Sequence, residues 1–220
     1  MDDLNKTQII ANTEEFVKGK LLGEGSGHDW WHIKRVWDLA KNISKNENTD
    51  IFVVELGALL HDIADWKFND GDESIGPRLA EEWLISQGVD GRIIQTVKEA
   101  IEDVSFKGAG VTKKNRSKEG EVIQDADRLD AIGAIGIARC FAYGGFKGRE
   151  IYNPDIKPVL DQTSEEYKKN SAPSLNHFYE KLLLLKNLMN TETGKRIAND
   201  RHKFMEIYLQ EFFSEWDGKR

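Results

Sequence analysis

Residues 50–65, DIFVVELGALLHDIAD, constrain the fold more than any other stretch of this chain. The segment carries a helical period and is apolar nearly all round, so a helix formed there has no face to give to water. It is expected to be central and buried, with Asp50 as its cap. The rest of the chain supplies helices to surround it. ANTEEFVKGKLLG reads as a first helix closing at Gly23. After the loop GEGSG, the segment HDWWHIKRVWDLAKNIS sets Trp30, Ile33, Val36, Trp37, Ala40 and Ile43 at three- and four-residue steps. Ser74 opens SIGPRLAEEWLISQG, with Pro77 in the first turn and Gly88 as a stop. Asp90 opens DGRIIQTVKEAIEDV.

Residues 105–117 are polar and glycine-containing, hence a loop. SKEGEVIQDADRLDAIGAIGIARCFAYGG carries one or two more helices, and 148–173, with Pro154, Pro158 and Pro173, is the longest irregular stretch. Loops of that length are often functional, and a lid is one role it could fill. SLNHFYEKLLLLKNLMN and TETGKRIANDRHKFMEIYLQEFFSEW read as two closing helices, the second capped by Thr191. No alternating strand pattern and no internal repeat appears. The expected fold is all-α, one domain spanning 1–220.

Composition excludes several classes of function. A formal net charge of -7 in 220 residues disfavours a stable, general grip on nucleic acid, which depends on neutralising phosphates. An anionic small molecule would need its charge met locally, by a metal or a few Lys and Arg. The single cysteine, Cys140, excludes an internal disulfide and zinc–cysteine clusters, and its apolar setting suits a buried, inert thiol. The N-terminus lacks the basic and apolar regions of a secretion signal, and no apolar run approaches the roughly 18 residues of a membrane span. A cytoplasmic protein that does not enter membranes is expected.

Two stretches place charge where burial makes it costly. His61 and Asp62 end the apolar helix, and on a continuous helix they would point about 100° apart. Asp125, Asp127 and Asp130 fall within six residues of QDADRLDAIG, among small and apolar neighbours. Each alone has a plain reading, the histidine as a packing residue and the aspartates as a solvated face. With His32, however, His61, Asp62 and Asp127 offer two imidazole nitrogens and two carboxylates, a set that suits one Mn, Co, Ni, Fe or Zn ion better than Ca or Mg. Trp30, Trp31 and Trp37 read as core or pocket wall. FAYGGFKG reads as a helix terminus, since it lacks the full phosphate-loop pattern.

The order H-x-x-R-V (His32–Val36), then HD (His61, Asp62), then an aspartate in DADRLDAIGAIG (Asp127) resembles the HD superfamily of metal-dependent phosphohydrolases. GHDWWHIKRV, LLHDIADWKF, QDADRLDAIGAIGIARCFAYGG, HFYEKLLLL and TETGKRIANDRHKFM resemble one bacterial subgroup of small single-domain members, over about residues 20–215. The resemblance implies an all-helical HD-domain fold with one divalent metal on His32, His61, Asp62 and Asp127. It also implies a small-molecule nucleotide as substrate, (deoxy)nucleoside triphosphate before monophosphate, and a monomer or homodimer. A metal-binding sensor without turnover is the alternative from another class.

Asp65 stands where monophosphate-hydrolysing relatives often carry glutamate, and it is the candidate to orient or deprotonate the attacking water. His28, Lys67, Lys147, His177 and Lys181 are candidate substrate contacts, with His28 alternatively helping Asp29 to cap the helix. No histidine lies between Asp62 and Asp127, which disfavours the two-metal phosphodiesterases of the superfamily.

Overall fold

The computed structural model describes residues 2–22, 29–64, 74–104, 117–160 and 171–220. Among the described residues the chain forms nine α-helices, a 3-10 segment and no strand, as the sequence pattern predicts. They gather into two compact units, the first ending at Asp127 and the second beginning at Arg128.

The first unit is built around α3 (Ile51–Leu60), which packs against α1 (Asp3–Leu21), α2 (Trp30–Ser44) and α5 (Gly91–Val104). Its position follows from composition. Phe52, Val54, Leu56, Ala58, Leu59 and Leu60 are all buried, and each fully buried leucine contributes roughly 1.5–3 kcal/mol. Asp50 caps the helix, its Oδ1 accepting from the Phe52 N–H at 3.0 Å. The helix ends sooner than the apolar pattern predicts. Leu60 is its last residue, His61 is the C-cap, and Ile63 N–H donates to the Leu60 carbonyl at 3.2 Å in a tighter turn. His61 and Asp62 therefore occupy a turn rather than successive positions of a continuing helix.

α1 begins well before the segment expected from sequence. It buries only Ile9, Thr13 and Val17, a narrow i, i+4, i+8 line with threonine at its centre, which leaves a weak apolar period. α4 (Ile75–Ser86) and α5 form a packed pair, separated by Gly88, whose φ of 69° is a conformation glycine adopts without strain. α6 (Lys118–Asp130) carries Asp127. Gly57 of α3 leaves room for the Ile123 side chain of α6, because a Cβ there would overlap Ile123 Cδ1 in the core.

The second unit contains α7 (Gly133–Phe146), α8 (Asn176–Glu180), the 3-10 segment Leu182–Leu188 and α9 (Glu192–Trp216). α9 packs against α7 and the 3-10 segment. Phe141, Phe178, Tyr208 and Phe212 bring their rings together with centroids 5.9–6.2 Å apart. The predicted single helix through SLNHFYEKLLLLKNLMN is broken at Lys181, with φ -143° and ψ -58°. Thr191 caps α9 as expected, accepting from Gly194 N–H at 2.9 Å. FAYGGFKG ends α7, with Lys147 as C-cap and Gly148 at φ 65°. Cys140 is half-buried rather than buried, and its thiol donates to the Ser174 carbonyl at 3.3 Å. Desolvation pushes its pKa up to about 12, outweighing Arg149 and Lys181, so the thiol is inert at neutral pH. Among the described residues no single helix is long and apolar enough to cross a membrane.

Candidate metal centre

Three elements of the first unit deliver four side chains to one point. His32 comes from the first turn of α2, held there by the Asp29 cap, whose Oδ1 accepts from the His32 N–H at 2.9 Å. His61 and Asp62 come from the turn that closes α3, and Asp127 from the last turn of α6. His61 Nε2 and Asp62 Oδ2 lie 3.7 Å apart.

His32 Nε2 lies 3.3 Å from His61 Nε2, 3.4 Å from Asp62 Oδ2 and 3.5 Å from Asp127 Oδ1. His61 Nε2 lies 3.9 Å from Asp127 Oδ1. Two donors each about 2.1 Å from one ion can stand no more than about 4.2 Å apart, and every one of these separations is within that limit. His32, His61 and Asp127 thus stand close enough together to hold one ion, and Asp62 Oδ2 lies within 3.7 Å of both histidines. The chemistry of the donors points the same way. His61 Nδ1 is 2.8 Å from the Ala58 carbonyl, which can only accept, so the proton sits on Nδ1 and the Nε2 lone pair faces the cluster. Nitrogen lone pairs and carboxylates packed this closely repel each other unless a cation or proton sits among them.

Burial is asymmetric. The side chains of His32 and His61 are fully covered, while those of Asp62 and Asp127 retain 19% and 29% of their exposure. The imidazoles form the closed wall and the carboxylates the side open to solvent.

The three candidate aspartates of α6 and its end separate cleanly. Asp125 is fully buried, Asp127 faces the histidines, and Asp130 is buried in the second unit, where Arg139 Nη1 donates to its Oδ2 at 2.6 Å. Of the predicted substrate contacts, Lys147, His177 and Lys181 lie in the second unit. The Lys147 ammonium sits 5.7 Å from the Tyr143 ring centroid and 5.2 Å from that of Phe146. Desolvation, reinforced by the charges of Lys181 and Arg149, holds His177 down at a pKa of about 3. His28, Asp65 and Lys67 lie outside the described residues. The Ala58 carbonyl went unnoticed in the sequence, because a backbone acceptor leaves no side-chain signal. Trp30 and Trp37 are core, while Trp31 is 59% exposed.

A helical unit presenting a His, His-Asp, Asp cluster from three elements in this order defines the HD class of hydrolases. Comparison with known proteins agrees, since the HD domain pattern matches residues 30–132. The chain is 43% identical to an HD-superfamily hydrolase from Bacillus thuringiensis, whose structure superimposes with a TM-score of 0.76 over 96% of this chain and 98% of that one. A Lactobacillus plantarum protein of known structure matches with a TM-score of 0.84 and 35% identity over 99% of both chains. YpgQ of Bacillus subtilis (strain 168) is 38% identical over 219 residues, 99% of this chain and 97% of YpgQ. The structure of YpgQ in complex with ADP matches with a TM-score of 0.76 at 34% identity, over 96% of each chain. The chain belongs to the HD superfamily.

Proposed function

We propose that this protein is a metal-dependent phosphohydrolase that cleaves (deoxy)nucleoside triphosphates to monophosphate and pyrophosphate. The observation that carries the reading is the convergence of His32, His61 and Asp127 to separations one divalent ion can bridge, with Asp62 beside both histidines. The ADP complex of YpgQ supports a nucleotide as the ligand class. In this reading the four residues hold one ion, with Mn, Co, Ni, Fe or Zn favoured over Mg by the mixed nitrogen and oxygen donors. When bound, such an ion supplies Lewis acidity toward water and toward a phosphoryl oxygen.

The chain's own residues do the rest. The Ala58 carbonyl fixes the tautomer and tilt of His61, so its Nε2 needs no reorganisation. Asp62 and Asp127 balance the charge of the ion at the solvent-facing side. Asp65 is proposed to orient or deprotonate the water, and His28 and Lys67 to contact phosphate. Lys147, His177 and Lys181 are further proposed contacts. His177, held neutral at physiological pH, would serve there as a hydrogen-bonding partner rather than as a cation. We further propose that residues 1–220 act as one functional domain in the cytoplasm, as monomer or homodimer.

The test is a hydrolysis panel of NTPs, dNTPs and NMPs with Mn(II), Co(II), Ni(II) and Mg(II), with phosphate and pyrophosphate assayed separately and Asp62→Ala as control. Pyrophosphate released by the wild type and not by the control is the expected result. Phosphate from monophosphates would replace the triphosphate reading by a nucleotidase. Metal binding with no turnover of any nucleotide would contradict it in favour of a sensor.

A further inference from the structure

Trp31 sets itself apart from the other tryptophans whose surroundings are described. Trp37 is 6% exposed, donates its indole N–H to Glu55 Oε1 at 3.0 Å, and is covered by the Lys41 ammonium 3.9 Å from its ring centroid. Trp83 stacks on Phe16 at 4.0 Å and donates to Thr13 Oγ1 at 3.0 Å. Trp216, at 52% exposure, stacks on Phe212. Trp30 is 3% exposed. Trp31 is 59% exposed, and among the described residues it makes no ring contact, cation–π contact or hydrogen bond. The nearest cation by helical spacing, Lys34, is committed elsewhere: it pairs with Asp38 and lies 5.2 Å from the Trp37 centroid. Its ring face and its N–H are open to solvent and therefore available to a ligand.

Its address narrows the ligand. Trp31 immediately precedes His32 in the first turn of α2, so their Cα atoms are about 3.8 Å apart and their side chains diverge by about 100°. His32 is wholly buried against the cluster, and the residue one step round the helix emerges at the surface beside it. The indole therefore projects at the surface of the first turn of α2, from the residue next to a member of the cluster.

Resting on the nucleotide reading above, we infer that Trp31 is the platform on which the base of the substrate stacks. A π-face accepts any base, so Trp31 contributes affinity for nucleotides as a class rather than preference among bases. The indole N–H remains available to a ribose or base acceptor.

The test measures binding by titration calorimetry in the presence of Mg(II), with ADP and with inorganic pyrophosphate, for wild type, Trp31→Phe and Trp31→Ala. Because Trp31 is exposed, both variants are expected to fold. Trp31→Ala should weaken ADP about tenfold, in the range of single-base stacking on an aromatic side chain. Pyrophosphate should change less than about twofold, and Trp31→Phe should recover most of the loss on the same stacking argument. An unchanged ADP affinity in Trp31→Ala, or an equal loss for pyrophosphate, overturns the role of Trp31 alone. A wild type that does not bind ADP overturns the nucleotide reading and the stacking role together.

Discussion

Asp127 and Asp130 stand one turn apart at the end of α6, yet their surroundings are opposite in kind. Asp130 retains 1% of its exposure and its charge is met by Arg139 at 2.6 Å, while Arg201 donates to the neighbouring Leu129 carbonyl. Asp127 keeps 29%, and the ion-pair partners it has are two imidazoles, at 3.5 and 3.9 Å. A buried carboxylate completed by arginine is a finished structural unit, and removing one partner strands the other. The same residue type, three positions apart, thus faces an arginine in one case and two imidazoles in the other.

That contrast can be broken by experiment. The largest expected effect is on activity: Asp127→Ala lowers nucleotide hydrolysis by roughly 100-fold or more, since even outer-shell partners of metal ligands are worth 10–100-fold. Asp130→Ala lowers stability by roughly 3 kcal/mol, read as a drop in urea midpoint at constant slope. Folded Asp130→Ala protein should retain its metal affinity, and metal-free Asp127→Ala should unfold near the wild-type midpoint. If both variants lost stability equally without metal, the contrast would be wrong.

Close approach gives a second handle, of smaller size. Gly57→Leu forces a side chain into Ile123 between α3 and α6 and should cost about 1–3 kcal/mol. Because α3 ends in His61 and α6 carries Asp127, it should also weaken metal binding. Gly136→Ala clashes with the Ala131 carbonyl in the second unit and should lower the urea midpoint without that effect on metal affinity. Equal metal affinity in the two glycine variants would contradict the link between helix spacing and the cluster.

A further handle is pH. His177 titrates at about 3 when folded and near its ordinary 6.5 when unfolded. Between those values the unfolded chain binds a proton that the folded chain does not, so stability is full above about pH 6.5 and falls as pH drops through the window. His177→Gln should flatten this loss, seen as a shallower decline of Tm between pH 6.5 and 4. Parallel declines would show that His177 is not desolvated as described.

Helix existence was legible in the sequence because apolar spacing is set by the core each helix faces. α3 showed itself by composition, and Asp50, Asp90 and Thr191 showed themselves as caps because a short polar side chain before an apolar run has few other uses. Helix ends were less legible. α3 stops at Leu60 although IADW continues the apolar pattern, because tertiary position decides where a backbone turns. α1 was underestimated for the opposite reason, its buried line being only Ile9, Thr13 and Val17. The cluster residues are read from resemblance and donor type, and the nearness of His32, His61 and Asp127 is visible only in the structure. The Ala58 carbonyl and the exposure of Trp31 are properties of geometry alone, so no residue type announced them.

Whether His32, His61, Asp62 and Asp127 hold one ion is tested by calorimetric titration of the metal-free protein with Mn(II), wild type beside Asp62→Ala. One ion bound per chain by the wild type, with binding lost or sharply weakened in the variant, is the result predicted. Binding that survives unchanged in Asp62→Ala, or a wild type that takes up no ion, would contradict the claim.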